Sequence, residues 1–486
     1  VIPRGTCCVV ADPHEIANVM GVEGVRFMIE DAMRTPLLVY TTIPSCVPST
    51  ALETSGARIG VEEIEALRGV ERVIGLGEVM NYPGVLSKDP ELMEKIRACG
   101  GMVVDGHAPG LTGAELCAYV SAGIGSDHES TSREEARWKL SLGMMVMMRE
   151  GSASKNLSAL AGLVSDRNAR RFMLVTDDKS ADDILAEGHM DHCLRRAVEE
   201  GVDPVEALRM ATLNPAEYFG LRHLGGVAPG RAANMAAVDS LRGFSVTHVL
   251  IDGELVAEGG VYLGGIRGAP PSHIGRRTVN FGPLRPEDVA VGYAGGDEAL
   301  VRVIGVVEGQ IRTEALQARL RVHGGMVPPD VERDILKVCV VERHRGTGRI
   351  GRGFVKGFGL VEGALASSVA HDSHNVVAMG ANDRDLCGAI NRVRELNGGL
   401  VAYRGGAVAE LPLPVAGLMS TEPAGDVAER ASELNRAAAS LGCGLASPFG
   451  TLSFLALPVI PELKITDHGL VDVTGFKVVG LFVERS

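Results

Sequence analysis

Between Gly5 and about Gly220 the chain alternates short apolar runs with longer stretches in which apolar residues recur every three or four positions. The short runs read as buried strands and the longer ones as amphipathic helices, an alternation that predicts a parallel sheet built from βα units. Strands are predicted at Thr6–Ala11, Leu37–Thr42, Val73–Glu78, Met102–Gly106, Gly123–Asp127, Met144–Met148 and Phe172–Thr176. Helices are predicted over Gly60–Gly69, Thr112–Ala122, Ser132–Leu142 and Asp182–Gly201, the last with acids in its first turn, where the helix dipole favours them. Seven strands are one short of a closed barrel. The predicted fold class is therefore α/β, a (β/α)8 TIM-like barrel lacking its first strand; a doubly wound open sheet is the competing reading.

After a helix running to Phe219 the pattern changes. Leu224–Gly260 carries Gly-rich turns between alternating strands, as expected for part of a small β domain, and a Gly/Pro-rich connector follows at Gly264–Pro286. The remainder mixes strands such as Val301–Val307 and Val338–Glu342 with helices such as Asp383–Asn397 and Val427–Leu441. The predicted organisation is a barrel over 1–220, the remainder of a small β domain over 221–265, a linker at 266–286 and a C-terminal α+β domain over 287–486. Val1 to Gly5 reads as the end of a helix entering a strand, so the chain is expected to begin inside a domain.

Of 486 residues, 45% are hydrophobic and 22% charged, which removes disordered and fibrous classes. Sixty-one acids against 48 bases give a net charge of −13, a sign that disfavours nucleic acid and anionic membranes as partners. Aromatic residues are 4%, too few for base-stacking platforms, and no run approaches the roughly 20 apolar residues of a membrane span. The nine cysteines form no Cys-x-x-Cys pair, and the expected compartment is the reducing cytoplasm. A small-molecule substrate and a homo-oligomer are the expectations that remain.

Reactive side chains of parallel barrels project from the C-terminal ends of strands. Here the strands end at Glu78, His107, His128-Glu129 and Asp177-Asp178. A single His in a loop is commonly structural, and a strand-end Asp commonly caps the next helix. Together, two imidazoles and two carboxylates on one rim are what a divalent cation needs for water activation. Met144, Met145, Met147 and Met148 read as a strand buried on both faces, and Cys7-Cys8 as packing. His189 and His192, one turn apart, and the cluster His371-Asp372-Ser373-His374 admit both structural and functional readings.

The motifs Asp12-Pro13-His14-Glu15-Ile16-Ala17-Asn18-Val19, Gly77-Glu78-Val79-Met80-Asn81, Asp105-Gly106-His107-Ala108-Pro109-Gly110, Asp127-His128-Glu129-Ser130, Arg149-Glu150-Gly151-Ser152-Ala153, Thr176-Asp177-Asp178 and Glu410-Leu411-Pro412-Leu413-Pro414 resemble those of the adenine deaminases of the amidohydrolase superfamily. The resemblance spans nearly the whole chain. It implies hydrolysis of adenine to hypoxanthine and ammonia at a binuclear centre of Mn2+, or of Fe2+ or Zn2+. It also implies that Glu78 bridges two metals, that His107 and His128 are metal ligands, and that Asp177 is both a ligand and the general base. Glu129 either protonates a ring nitrogen or is an exposed acid at a helix start. His14 and Glu15 are either substrate contacts or structural, and Ser152 is a further substrate-binding candidate.

The sequence departs from the superfamily pattern at one place. No two of the 13 histidines are separated by a single residue, so the His-x-His pair that such enzymes carry on the first strand is expected upstream of Val1. The 486-residue polypeptide is accordingly expected to bind less than a full metal complement and to have little activity. Two alternatives stand beside deamination of adenine: another cyclic-amidine or cyclic-amide hydrolase, and a non-catalytic scaffold.

Overall fold

The structure is a computed structural model and describes residues 1–152, 154–268 and 276–483. Ala153 of the Arg149 motif and residues 269–275 of the expected linker lie outside the described residues. The described residues divide into two units, one holding residues 1–14, 22–46 and 59–268, the other 15–21, 47–58 and 276–483.

In the first unit, strands β1 (Cys8–Ala11), β2 (Leu38–Ile43), β3 (Val73–Val79) and β4 (Val103–Gly106) pair in parallel in that order, as do β5 (Ser126–Asp127), β6 (Met145–Arg149) and β7 (Phe172–Val175). The Gly125 N–H donates to the Val104 carbonyl at 3.0 Å, joining the β4 and β5 segments. Each strand thus lies beside its neighbour in sequence, the arrangement that successive βα units enforce. Among the described residues, β1 and β7 each pair with one strand, which makes them edges.

The strand positions follow the hydrophobic pattern, and their lengths depart from it where glycine intervenes. Strand β5 keeps two of the five predicted residues because Gly123 adopts φ +100° in the turn after the helix Gly113–Ser121. Strand β6 is buried throughout. Met145 and Met147 pack with Met173 and Tyr218, while Val146 and Met148 pack with Leu157, Leu160 and Cys193. The helix expected over Asp182–Gly201 is two helices, Ala181–Ala186 and Met190–Glu199. Gly188 breaks it with φ +111°, and the Asp191 carboxylate accepts the His189 N–H at 2.7 Å to start the second piece.

Beyond the parallel strands the first unit continues into an antiparallel sheet of β8 (Met235–Val238), β9 (Val246–Ile251), β10 (Glu254–Glu258) and β11 (Val261–Tyr262), ordered β11-β10-β9-β8.

The second unit is built on β12 (Glu298–Val306), β13 (Thr313–Arg321), β14 (Ile335–Val341), β15 (Ile350–Lys356), β16 (Ala364–Ser367), β17 (Val376–Gly380), β18 (Gly399–Tyr403) and β19 (Ala407–Pro412), in the order β13-β12-β15-β14-β17-β16-β18-β19. Alternate side chains of its central strands face opposite layers, as a strand's two-residue period requires. Val338 and Val340 meet Leu434, Ala438 and Leu452, while Cys339 and Val341 meet Leu386, Ile390 and Val393 of the helix Asp383–Glu395. A three-stranded sheet, β20 (Leu463–Thr466), β21 (Gly469–Asp472) and β22 (Lys477–Val479), completes the unit.

Candidate metal centre

Because the strands of the first unit are parallel, their C-terminal ends share one rim. Glu78 lies near the end of β3, His107 follows β4, His128 and Glu129 follow β5, Arg149 ends β6 and Asp177 follows β7. Glu78 Oε2 lies 2.7 Å from His107 Nδ1 and 3.1 Å from His128 Nε2, and the two imidazoles meet edge to face at 5.2 Å between centroids. Glu129 Oε1 is 3.8 Å from His107 Nδ1 and 3.4 Å from His128 Nε2. Glu78, His107 and His128 each offer a ligand atom within 4.8 Å of the others.

Glu78 also belongs to a second such group, with Asp12 and His14. His14 Nδ1 is 3.6 Å from Asp12 Oδ1 and 3.7 Å from Glu78 Oε1. Asp12 Oδ2 accepts the Glu78 N–H at 2.9 Å, an approach that requires Gly77, since a Cβ there would collide with the Asp12 carboxylate.

The electrostatics match a cation site. Burial opposes ionisation of Glu78, but the adjacent His128 and His107 imidazoles override it and hold its pKa well below the usual value. Burial likewise disfavours a charged His128, yet Glu78, Glu129 and Asp177 together push its pKa up to about 10. His107 is raised too, against burial, by Glu129 and Glu78. Glu129, though buried, is brought down to about 2 by His107, Arg149 and His128. Excess negative charge focused on two imidazoles is the field that a divalent cation would neutralise.

Arg149 completes the rim. Its guanidinium grips Glu129, with Nη2 3.3 Å from Oε2, and Nη1 lies 2.9 Å from Asp177 Oδ2. Its pKa is raised despite burial because Glu129 and Asp177 flank it. Sequence reasoning misses Arg149, which it reads as part of a motif and not as a functional side chain. The available signal was a cation at the end of an otherwise apolar, fully buried strand, where a charge needs a partner. Asp177 adopts φ +55° and belongs to neither three-residue group.

The other expected contacts have different surroundings. Ser152 donates its hydroxyl to Asp183 and accepts the Ser180 N–H at 2.9 Å, closing the loop after β6. Glu15 belongs to the second unit, where its carboxylate meets His371 Nδ1 at 2.8 Å and His374 Nε2. This trio is tight enough for a cation. His374 Nδ1, however, accepts the Ala370 N–H at 3.1 Å, so the proton of the neutral ring sits on Nε2 and points at Glu15. Burial keeps that ring neutral, overriding Glu15. His189, whose Nδ1 lies 2.8 Å from the Thr6 hydroxyl, is lowered to about 4 by burial and belongs to no ligand cluster among the described residues.

One carboxylate and two imidazoles on the C-terminal rim of a parallel sheet are what metal-assisted hydrolysis requires. The sequence profile of the Amidohydrolase family matches residues 1–256, and that of the Adenine deaminase C-terminal domain matches residues 310–477. The chain is 52% identical over 483 residues to an adenine deaminase of Archaeoglobus fulgidus, covering 99% of this chain and 82% of that protein. It is 46% identical over 480 residues to an adenine deaminase of Dehalococcoides mccartyi, covering 99% and 83%. With an adenine deaminase of Methanothrix thermoacetophila the identity is 47% over 486 residues, covering 100% and 84%. The chain belongs to the amidohydrolase family and, within it, to the adenine deaminases.

Proposed function

We propose that this protein hydrolyses adenine to hypoxanthine and ammonia at the rim formed by Glu78, His107, His128, Glu129, Arg149 and Asp177, a step that suits purine salvage. The observation that carries the reading is the convergence of His107 Nδ1 and His128 Nε2 on one oxygen of Glu78. Two imidazoles and one carboxylate fit Mn2+, Fe2+ or Zn2+, with manganese the ion we favour. Bound by Glu78, His107 and His128, such an ion supplies Lewis acidity that brings the ionisation of water near neutral pH. Glu78 also belongs to a ligand group with Asp12 and with His14, whose Nδ1 lies 3.7 Å from Glu78 Oε1, and these three would hold a second ion.

The reaction adds water to C6 of the purine and moves two protons. One water proton must reach ring nitrogen N1, the other the departing amino group. Glu129 is ionised at neutral pH, so it accepts a proton before it can deliver one to N1. Asp177 carries the second proton from the water to the amino group, which leaves as ammonia. Arg149 holds both carboxylates in place and helps keep Glu129 ionised between turnovers.

We assign strands β1–β7 to a (β/α)8 barrel within residues 1–220, residues 221–265 to a small β domain and residues 287–486 to the C-terminal domain. Among the described residues no helix is long and apolar enough to cross a membrane. The test is release of ammonia and hypoxanthine from adenine by the manganese-loaded chain, with guanine, cytosine and dihydroorotate assayed alongside, and calorimetric binding of adenine. Preference for adenine supports the assignment. Turnover of another substrate with adenine inert overturns it.

A further inference from the structure

Behind the ligand side chains lies a buried polar frame that the reaction itself does not use. Lys139, on the helix Arg133–Ser141, is fully buried. Its Nζ lies 2.8 Å from Asp127 Oδ2 and 2.8 Å from Glu135 Oε1, and donates to the Ala108 carbonyl at 2.8 Å and to the Ser130 hydroxyl at 3.1 Å. Asp127 accepts the N–H groups of Ala108 at 2.9 Å, Ser130 at 2.9 Å and Glu129 at 3.1 Å. Glu135 accepts those of Gly110 at 2.8 Å and Thr131 at 3.1 Å. Ala108 and Gly110 follow His107, whereas Glu129, Ser130 and Thr131 follow His128. The network therefore ties the loop after β4 to the loop after β5. Tyr119, also fully buried, donates its hydroxyl to the Val79 carbonyl at 2.8 Å and accepts the His107 N–H at 2.9 Å. It joins the residue after Glu78 to His107.

We propose that Lys139 and Tyr119 are positioning residues that preset the separation of Glu78, His107 and His128 for cation binding. A buried ion pair gains little net stability over a well-packed apolar replacement, so a lysine with no exposed surface is poorly explained by stability alone. Its partners are the backbone and side-chain groups beside the two imidazole ligands. Groups that orient ligands from behind are what fixes metal affinity, and their loss weakens binding about 10–100-fold. The proposal rests on reading Glu78, His107 and His128 as metal ligands.

The experiment is equilibrium dialysis of the chelator-stripped chain against Mn2+, with thermal denaturation and steady-state kinetics run in parallel. The variants are Tyr119→Phe, Lys139→Met and, as a control, Lys337→Met, which breaks the pair of buried Lys337 with half-buried Asp383 in the second unit. Tyr119→Phe and Lys139→Met are expected to bind Mn2+ about 10–100-fold more weakly. Excess Mn2+ is expected to restore kcat, with KM for adenine unchanged. Lys337→Met is expected to lower the melting temperature and leave Mn2+ affinity intact. If Lys139→Met does not fold, Tyr119→Phe decides. Wild-type affinity in folded Tyr119→Phe overturns the proposal, as does an equal loss in Lys337→Met. A wild-type chain that binds no Mn2+ would instead remove the metal reading, and the proposal with it.

Discussion

Arg149 and Asp177 meet across the ends of two adjacent strands, Nη1 to Oδ2 at 2.9 Å, while the same guanidinium holds Glu129. One cation thus fixes both carboxylates to which proton transfers are assigned. Replacing it removes a side chain that bonds both acids and leaves Glu129 with only the neighbouring imidazoles of His107 and His128. Arg149→Met is expected to lower kcat/KM for adenine by at least about 100-fold. It is also expected to cost about 3–5 kcal/mol of stability, because buried Glu129 loses its guanidinium partner. Steady-state hypoxanthine formation and thermal denaturation measure the two effects. Arg149→Lys keeps the charge but not the two-pronged geometry, and should fall between.

Glu129→Gln tests the proton shuttle apart from the metal. The amide still accepts from Arg149 and fills the same volume, but it cannot carry a proton. Turnover should fall about 10²- to 10⁴-fold while Mn2+ affinity stays within a few-fold of wild type. A variant that loses metal and turnover together would make Glu129 a ligand in place of a shuttle.

A stability effect with a defined pH window is expected in the second unit. Lys464 is buried and donates to the carbonyls of Ile311 at 2.6 Å and Phe454 at 2.9 Å, and burial lowers its pKa to about 7. The unfolded chain keeps that lysine protonated up to its ordinary value of about 10.4, so between these limits the unfolded state binds more protons. Its contribution to folding stability therefore rises with pH across that window. Lys464→Met removes the dependence. The variant's advantage in melting temperature, largest near pH 7, should shrink as pH approaches 10, and an offset independent of pH would contradict the assignment.

Much of this architecture was legible in the sequence because strand burial writes itself as apolar runs. Strands β1 to β4, β6 and β7 fall within two residues of the expected limits. The misses have local causes. The Gly188 conformation splits a helix whose apolar period runs through it, and Gly123 shortens β5. At the rim, Glu78, His107, His128 and Glu129 were visible because each stands at the end of an apolar strand. Arg149 was hidden as the last residue of one. The partners of Glu15 were invisible for another reason: His371 and His374 lie more than 350 residues along the chain, and no periodicity reports such a contact.

The frame behind Glu78, His107 and His128 shows the same limit. Lys139 sits on a helix with polar neighbours, where the expected environment is solvent; Glu135 is its partner one turn back on the same helix, but its burial also depends on Asp127 arriving from β5.

The most direct test of the account is anomalous diffraction from crystals of the zinc-loaded chain. The account predicts a zinc peak about 2.0–2.2 Å from a Glu78 carboxylate oxygen, His107 Nδ1 and His128 Nε2, absent in Glu78→Gln. A crystal grown with zinc in which that position is bare, or in which the ion sits on other side chains, would contradict it.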